Sequence, residues 1–170
     1  PFHKQFGLRE GIVEETLDGA YKSWFCQFVL ELSIMTIVHL IFSLPNAGKE
    51  NLLVDLVNMQ SKSNTVWLWI VNDLYDDNLI SEIEPRVGIR MFGRRRHSKS
   101  IRPFVQIIRF LKEVKPDVVH THDSWLIYPI VFYAKAKKCT TIHDIGLFES
   151  HLYLYNKVFA ISNAVKSDLI

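Results

Sequence analysis

The chain has 170 residues, 48% of them apolar and 22% charged, with a formal net charge of +2. That is one domain's worth of sequence with enough apolar side chains for a real core, and its ordinary composition excludes a disordered or coiled-coil protein. The small charge gives no argument for nucleic acid; two cysteines as distant as Cys26 and Cys139 suggest neither a disulfide framework nor a zinc ribbon, and fit a reducing cytoplasm.

Residues 1–34 carry no motif that can be named, although Glu14 to Leu32 is helix-like. The run from Trp24 to Leu44 is long enough to span a bilayer. It contains Gln27, Glu31 and His39, however, and a carboxylate at mid-membrane costs about 3 kcal/mol. A division at Met35, itself a plausible natural start, accounts for this run better. The chain opens at Pro1 without an initiator methionine and stops at Ile170 inside a helix start, so it reads as a truncated fragment. The expected organisation is an upstream segment over 1–34 and one domain over 35–170.

From Met35 onward, short β-rich runs alternate with amphipathic ones. TIVHLIF (36–42) reads as a strand buried on both faces. Pro45 to Gly48 is a turn, and Lys49 to Met59 carries Leu52, Leu53, Leu56 and Val57 at helical spacing. TVWLWIV (65–71) is a second strand, followed by a polar stretch with Asp73, Asp76 and Asp77. RVGIRMF (86–92) is a third. The basic loop GRRRHSKS then leads to a helix from Ser100 to Val114, with Val105, Ile108 and Leu111 as its apolar face and Pro116 as its stop. PDVVHTH gives a fourth strand, and Trp125 to Ala136 a helix ending in Lys137-Lys138, which would suit the helix dipole. CTTIHD and KVFAIS give two more strands, and SNAVKSDLI opens a helix with Ser162 or Asn163 as N-cap. Repeated β-loop-α units of this kind specify a doubly wound, Rossmann-like α/β parallel sheet. Its ligands sit at the carboxyl ends of the strands.

Two His-Asp pairs, His122-Asp123 and His143-Asp144, fall at that edge. One reading is a metal site of a hydrolase, because strand alternation puts His120 and His122 on one face and His/Asp sets suit zinc or manganese. Against it, no further ligands follow at later strand ends, and Asp123 stands where a helix cap would. For His120, a buried hydrogen-bonded core histidine is the plainer reading. The loop PNAGKE opens a helix whose free N–H groups attract anions, and it is neither a Walker A loop nor GxGxxG. Arg94, Arg95 and Arg96, with Lys99 and Arg102, form either a solvated loop or a contact with anionic lipid headgroups or a phosphorylated acceptor. No aromatic-interleaved groove for nucleic acid accompanies them.

Four stretches carry a resemblance in order and spacing: IVHLIFSLPNAGKENLLVDL, FLKEVKPDVVHTHD, TTIHD and KVFAISNAVKSDL. Together they resemble the N-terminal domain of the GT-B glycosyltransferases of family 4, over about Met35 to Ile170. The resemblance implies a retaining transferase that moves a sugar from a nucleotide-sugar donor to an acceptor hydroxyl, with no required metal or resident cofactor. It places His143 near the reacting sugar as hydrogen-bond partner or electrostatic stabiliser. Ala47 and Gly48 would lie at the donor diphosphate, His122 and Asp144 along the cleft, and Ser162 after the last strand. Arg94, Arg95 and Arg96 would then touch a carbohydrate or lipid-linked acceptor, or an anionic membrane, in surface polysaccharide or glycolipid synthesis at the cytoplasmic membrane face. Ala47 stands where the family usually has glycine, which puts direct phosphate contact there in doubt. The family's C-terminal donor domain, with its Glu-x7-Glu element, has no counterpart in these residues, so the fragment alone is expected to be inactive. A sugar-nucleotide 2-epimerase shares this architecture, and a metal-dependent hydrolase using His120-x-His122-Asp123 or a non-catalytic Rossmann-like binding module are the alternatives from other classes.

Overall fold

The computed structural model describes residues 13–16, 34–96, 98–133, 135–146 and 150–169. Six parallel strands form the body of its sheet: β2 (Thr36–Ile41), β3 (Thr65–Asn72), β4 (Gly88–Arg94), β5 (Val118–Thr121), β6 (Lys137–Ile142) and β7 (Lys157–Ala160). They lie in the order β4-β3-β2-β5-β6-β7, and a four-residue strand β1 (Val13–Thr16) adds a seventh outside β7. The helices are α1 (Gly48–Gln60), α2 (Asp77–Ser81), α3 (Arg102–Val114), α4 (Ile127–Ile130) and α5 (Asn163–Leu169). This is the doubly wound Rossmann-like arrangement expected from the alternating pattern. The order of strand addition reverses between β2 and β5: β3 and β4 build outward on one side, β6 and β7 on the other. Such a reversal is the switch point where this class of sheet opens a ligand crevice.

Two cores cover the two faces. Ile41, Val66, Leu68 and Ile70 of the sheet pack with Leu53, Val54 and Val57 of α1 and Leu79 of α2. On the opposite face Val38, Leu40, Trp69 and Val119 pack with Ile107 and Leu111 of α3 and Ile127 and Ile130 of α4. Both faces of β2 and β3 are therefore covered, which is why these strands read as unbroken apolar runs rather than alternating ones.

Several expectations need adjusting. Leu52 of α1 is exposed, and the core face is carried instead by Leu53, Val54 and Val57 with the polar Glu50 and Gln60. In α3 the buried residues are Pro103, Ile107 and Leu111, four apart, while Val105 is 58% exposed. The expected helix over 125–136 is a 3-10 turn (Ser124–Leu126) followed by the single turn of α4. Pro129 removes an amide from that turn. Lys137 and Lys138 consequently open β6, so they serve no helix terminus. β4 runs on to Arg94, because Asp73 N–H bonds Arg94 O at 3.0 Å and extends the ladder. Lys115, at φ 50, ends α3 ahead of Pro116.

The helix-like stretch from Glu14 begins instead with strand residues, paired in parallel with the edge of β7. The segment set apart as upstream thus contributes four residues to the sheet, and the rest of that stretch lies outside the described residues. Of the apolar run 24–44, residues Thr36–Ile41 form β2, an interior strand of the sheet. No helix among the described residues is long and apolar enough to cross a membrane.

Candidate active site

The crevice is built where β2 and β5 end side by side. Beyond Ile41 the chain leaves the ladder, and Phe42 N–H donates to Asp123 Oδ2 at 2.7 Å. The other oxygen of Asp123 accepts from Lys49 Nζ at 2.9 Å. Asp123 therefore ties the ends of β2 and β5 to the start of α1; it makes no side-chain cap to the turn that follows it. Lys49 stands in the first turn of α1, where a cation opposes the helix dipole. The Asp123 carboxylate offsets that cost, and Glu50, buried beside it, lies 3.8 Å from the same ammonium.

The N-terminus of α1 is open. Ala47 is extended at φ −145, ψ 172 and provides no side-chain cap, so the first-turn amides have no side-chain acceptor from it. A Cβ on Gly48 would meet nothing within 4 Å. The space above Gly48 is open, at a helix start whose first-turn amides are donors. That combination suits an anion.

Beneath this edge runs a row of imidazoles on the α1 side of the sheet. His39 and His120 are register neighbours on β2 and β5, and His122 follows two residues later on the same face. Ring centroids lie 4.3 Å apart for His120–His122, 5.1 Å for His39–His120 and 5.4 Å for His39–His122. Gln60, from the last turn of α1, accepts from His39 Nε2 at 2.7 Å. With that proton on Nε2, His39 Nδ1 is an acceptor and receives His122 Nε2–H at 3.1 Å. His120 Nε2 pairs with Thr141 Oγ1 at 2.8 Å. Burial holds the three rings neutral: it lowers His39 to about 4 and depresses His120 and His122 well below the usual imidazole range, with mutual repulsion adding to the effect.

One nitrogen from each ring lies within 4.8 Å of the others, so His39, His120 and His122 are the set that would hold a metal. The alternative His120-x-His122-Asp123 set does not form, because Asp123 is committed to Phe42 N–H and Lys49. Among the described residues no carboxylate joins the three neutral rings to balance a dication, and both nitrogens of His39 are already hydrogen-bonded. The row fits a hydrogen-bonded polar core better than a metal centre.

His122 Nδ1 is buried without a partner, and so are both ring nitrogens of His143 at the end of β6. The His143 ring lies 6.2 Å from that of His122, at the mouth of the row. Desolvation and then Lys49 lower its pKa while Asp123 and Asp144 raise it, and the balance leaves it at about 4. His143 is thus a neutral imidazole with an unfilled donor and an unfilled acceptor just past the end of β6. Leaving such atoms unpaired costs about 1–3 kcal/mol each. A bound ligand would recover it.

Of the residues singled out from sequence, His122 and His143 have ring centroids 6.2 Å apart, Ala47 and Gly48 open the helix whose Lys49 pairs with Asp123, and Asp144 is exposed. Ser162 is one strand further along the same edge, where its Oγ caps α5 by accepting from Val165 N–H at 3.3 Å. Arg94 is engaged in holding its own loop: its guanidinium donates to Asn72 Oδ1 at 3.3 Å and to Ser98 O. Arg95 and Arg96 are exposed. Lys49, His39 and Gln60 escaped the sequence reading. Lys49 had a signal, a lysine in a helix's first turn; Gln60 had a weaker one, a polar residue in phase with Leu53 and Val57.

A doubly wound parallel sheet with an anion-ready helix N-terminus and unpaired imidazoles at its switch point defines an α/β ligand-binding domain. The sequence model of Glycosyltransferase Family 4 matches residues 48–170, well over half of the chain, and the chain belongs to this family. No curated protein gives a significant match. A glycosyltransferase domain handles a sugar donor and an acceptor.

Proposed function

We propose that the crevice is where a nucleotide-sugar donor meets an acceptor hydroxyl, in a retaining transfer that requires neither a metal nor a resident cofactor. The observation that carries this reading is His143, whose ring nitrogens are shielded and unpartnered beside Lys49 and the open start of α1. In the step, the bond from the sugar's anomeric carbon to the donor phosphate oxygen breaks and a bond to the acceptor oxygen forms. The acceptor proton leaves to the departing diphosphate. Negative charge grows on that diphosphate, where the amides of Gly48 and Lys49 and the Lys49 ammonium lie ready. Neutral His143 is too weak a base to take the acceptor proton, so it acts as a hydrogen-bond partner of the reacting sugar. His122 and Asp144 line the crevice, and Ser162 holds the start of α5 at its far end.

The acceptor is a carbohydrate or a lipid-linked sugar at the cytoplasmic face of a membrane, approached through the basic loop. The test uses the protein that carries this domain, purified, with nucleoside diphosphate release measured across a panel of nucleotide-sugars. The His143→Ala variant should keep its thermal midpoint and lose more than about 10-fold in turnover, about 1.4 kcal/mol of transition-state stabilisation. Wild-type turnover in that variant would remove His143 from the mechanism. Product with an inverted anomeric centre would remove the retaining assignment.

A further inference from the structure

The imidazole row has a direction, and it is set from the last turn of α1. Gln60 Oε1 can only accept, so His39 carries its proton on Nε2, 2.7 Å away. His39 Nδ1 is then a lone pair, and His122 fills it with Nε2–H at 3.1 Å. A neutral imidazole has one donor and one acceptor, so His122 is left with a bare acceptor at Nδ1. That atom is buried and has no partner. The side chains that fix it are equally enclosed: His39 is fully buried, and Gln60 and His122 are each 4% exposed. His120 stands outside this line, its Nε2 taken by Thr141.

The group that can fill Nδ1 is the next ring. His143 has both ring nitrogens shielded and unpartnered, so it holds an unspent N–H. The hydrogen-bonded rings of His39 and His122 have centroids 5.4 Å apart, and those of His122 and His143 are 6.2 Å apart. The second spacing exceeds the first by less than a covalent bond length, which a turn of one side chain closes. His143 lies past the last residue of β6, and no hydrogen bond among the described residues holds its ring. Lys49, whose charge acts on both rings, is held by Asp123 at 2.9 Å. Two buried atoms left unpaired are costly, and one rotation satisfies both.

We propose that His143 turns onto His122 Nδ1 and completes a hydrogen-bonded relay, Gln60–His39–His122–His143, in which Gln60 and His39 are positioning residues. The relay runs one way. Each ring donates toward Gln60 and accepts from the ring behind it, so the outer nitrogen of His143 is left proton-free. That nitrogen takes a hydrogen bond from a ligand hydroxyl and gives none to a phosphate oxygen. Gln60 is the last residue of α1 and Gly48 the first, about 18 Å away along the helix. One side chain thus sets the tautomer of His143 without touching the open start of α1. This inference rests on the transferase reading for its ligand and specifies the hydrogen bond that His143 makes with it.

The test is nitrogen-15 NMR of the imidazoles, near neutral pH, in the protein that carries this domain. Protonated and proton-free ring nitrogens have well-separated shifts, and an N–H···N bond transmits a scalar coupling between its two nitrogens. The expected result is Nε2–H on His39 and His122, with couplings from His39 Nδ1 to His122 Nε2 and from His122 Nδ1 to one nitrogen of His143. Gln60→Met keeps the side chain's length and removes the acceptor, so the minor tautomers of His122 and His143 should rise at least about 10-fold. Thr141→Val removes a hydrogen bond from the same row, at His120, and should leave the His143 coupling as in wild type. In the nucleotide-sugar assay Gln60→Met should lower turnover at least about 3-fold with nucleoside diphosphate affinity unchanged. A proton on His122 Nδ1 overturns the proposal, because the relay would then run outward from Gln60. A proton-free His122 Nδ1 without a coupling to His143 overturns it too, as does a His143 tautomer indifferent to Gln60→Met. The wild-type couplings decide the question even where that variant fails to fold. The two readings fail separately: sugar transfer without the couplings removes only the relay, whereas the couplings without transfer from any donor of the panel remove the transferase reading.

Discussion

Acidification should unfold this domain earlier than its carboxylates alone would require. His39 is fully enclosed, with a folded pKa of about 4 against about 6.5 for a solvated imidazole. Its stabilising contribution is complete above pH 6.5, where both states are neutral. As pH falls below 6.5 the unfolded chain takes up a proton that the folded chain refuses, so stability is lost progressively down to about pH 4. At pH 5.5 the loss for His39 alone is about 1.4 kcal/mol. His120 and His122 are depressed by the same desolvation and act in the same direction, so the trio loses more than this. Urea titrations at pH 7.5 and 5.5 measure it: with a slope of about 2 kcal/mol per molar, the midpoint should drop by about 0.7 M or more. A midpoint equal or higher at pH 5.5 would show that the imidazoles are solvated and charged, and would refute the buried row.

Gly48→Ala should leave the fold intact or raise its stability by about 0.5 kcal/mol, since the added methyl meets no protein atom and alanine suits a helix better. The same change should weaken nucleoside diphosphate binding about 10-fold, measured by calorimetry, if the diphosphate approaches the amides there. Gly88→Ala should do the opposite. Its Cβ would come within 2.5 Å of the Trp67 ring, so a thermal melt should show a loss of about 1–3 kcal/mol with the site's ligand affinity unchanged.

The fold was legible because strands and helices of a doubly wound sheet announce themselves by period and by punctuation. TIVHLIF and TVWLWIV are too uniformly apolar for a half-exposed sheet, and their burial on both faces follows. Errors came where one-dimensional signals compete. Trp125 to Ala136 has helical composition, yet Pro129 and the aromatic and branched residues after it leave one turn. Val105 and Ile108 have helical phase, yet phase alone does not say which stripe meets the sheet, and Pro103, Ile107 and Leu111 do. At the site, the strand-end histidines were visible as a pattern, but their alliance with Gln60 depended on α1 returning its last turn over β2. The Lys49–Asp123 pair joins residues 74 apart, through the neighbouring ends of β2 and β5.

The central claim is that donor and acceptor meet at the carboxyl edge around Gly48, Lys49 and His143. Amide chemical shifts of the protein carrying this domain, titrated with each of a panel of nucleotide-sugars, test it most directly. The predicted result is that one donor shifts the Gly48, Lys49, His143 and Asp144 amides in a saturable way. Saturable shifts confined to the opposite sheet edge, around Asn64 and Asp117, would contradict it.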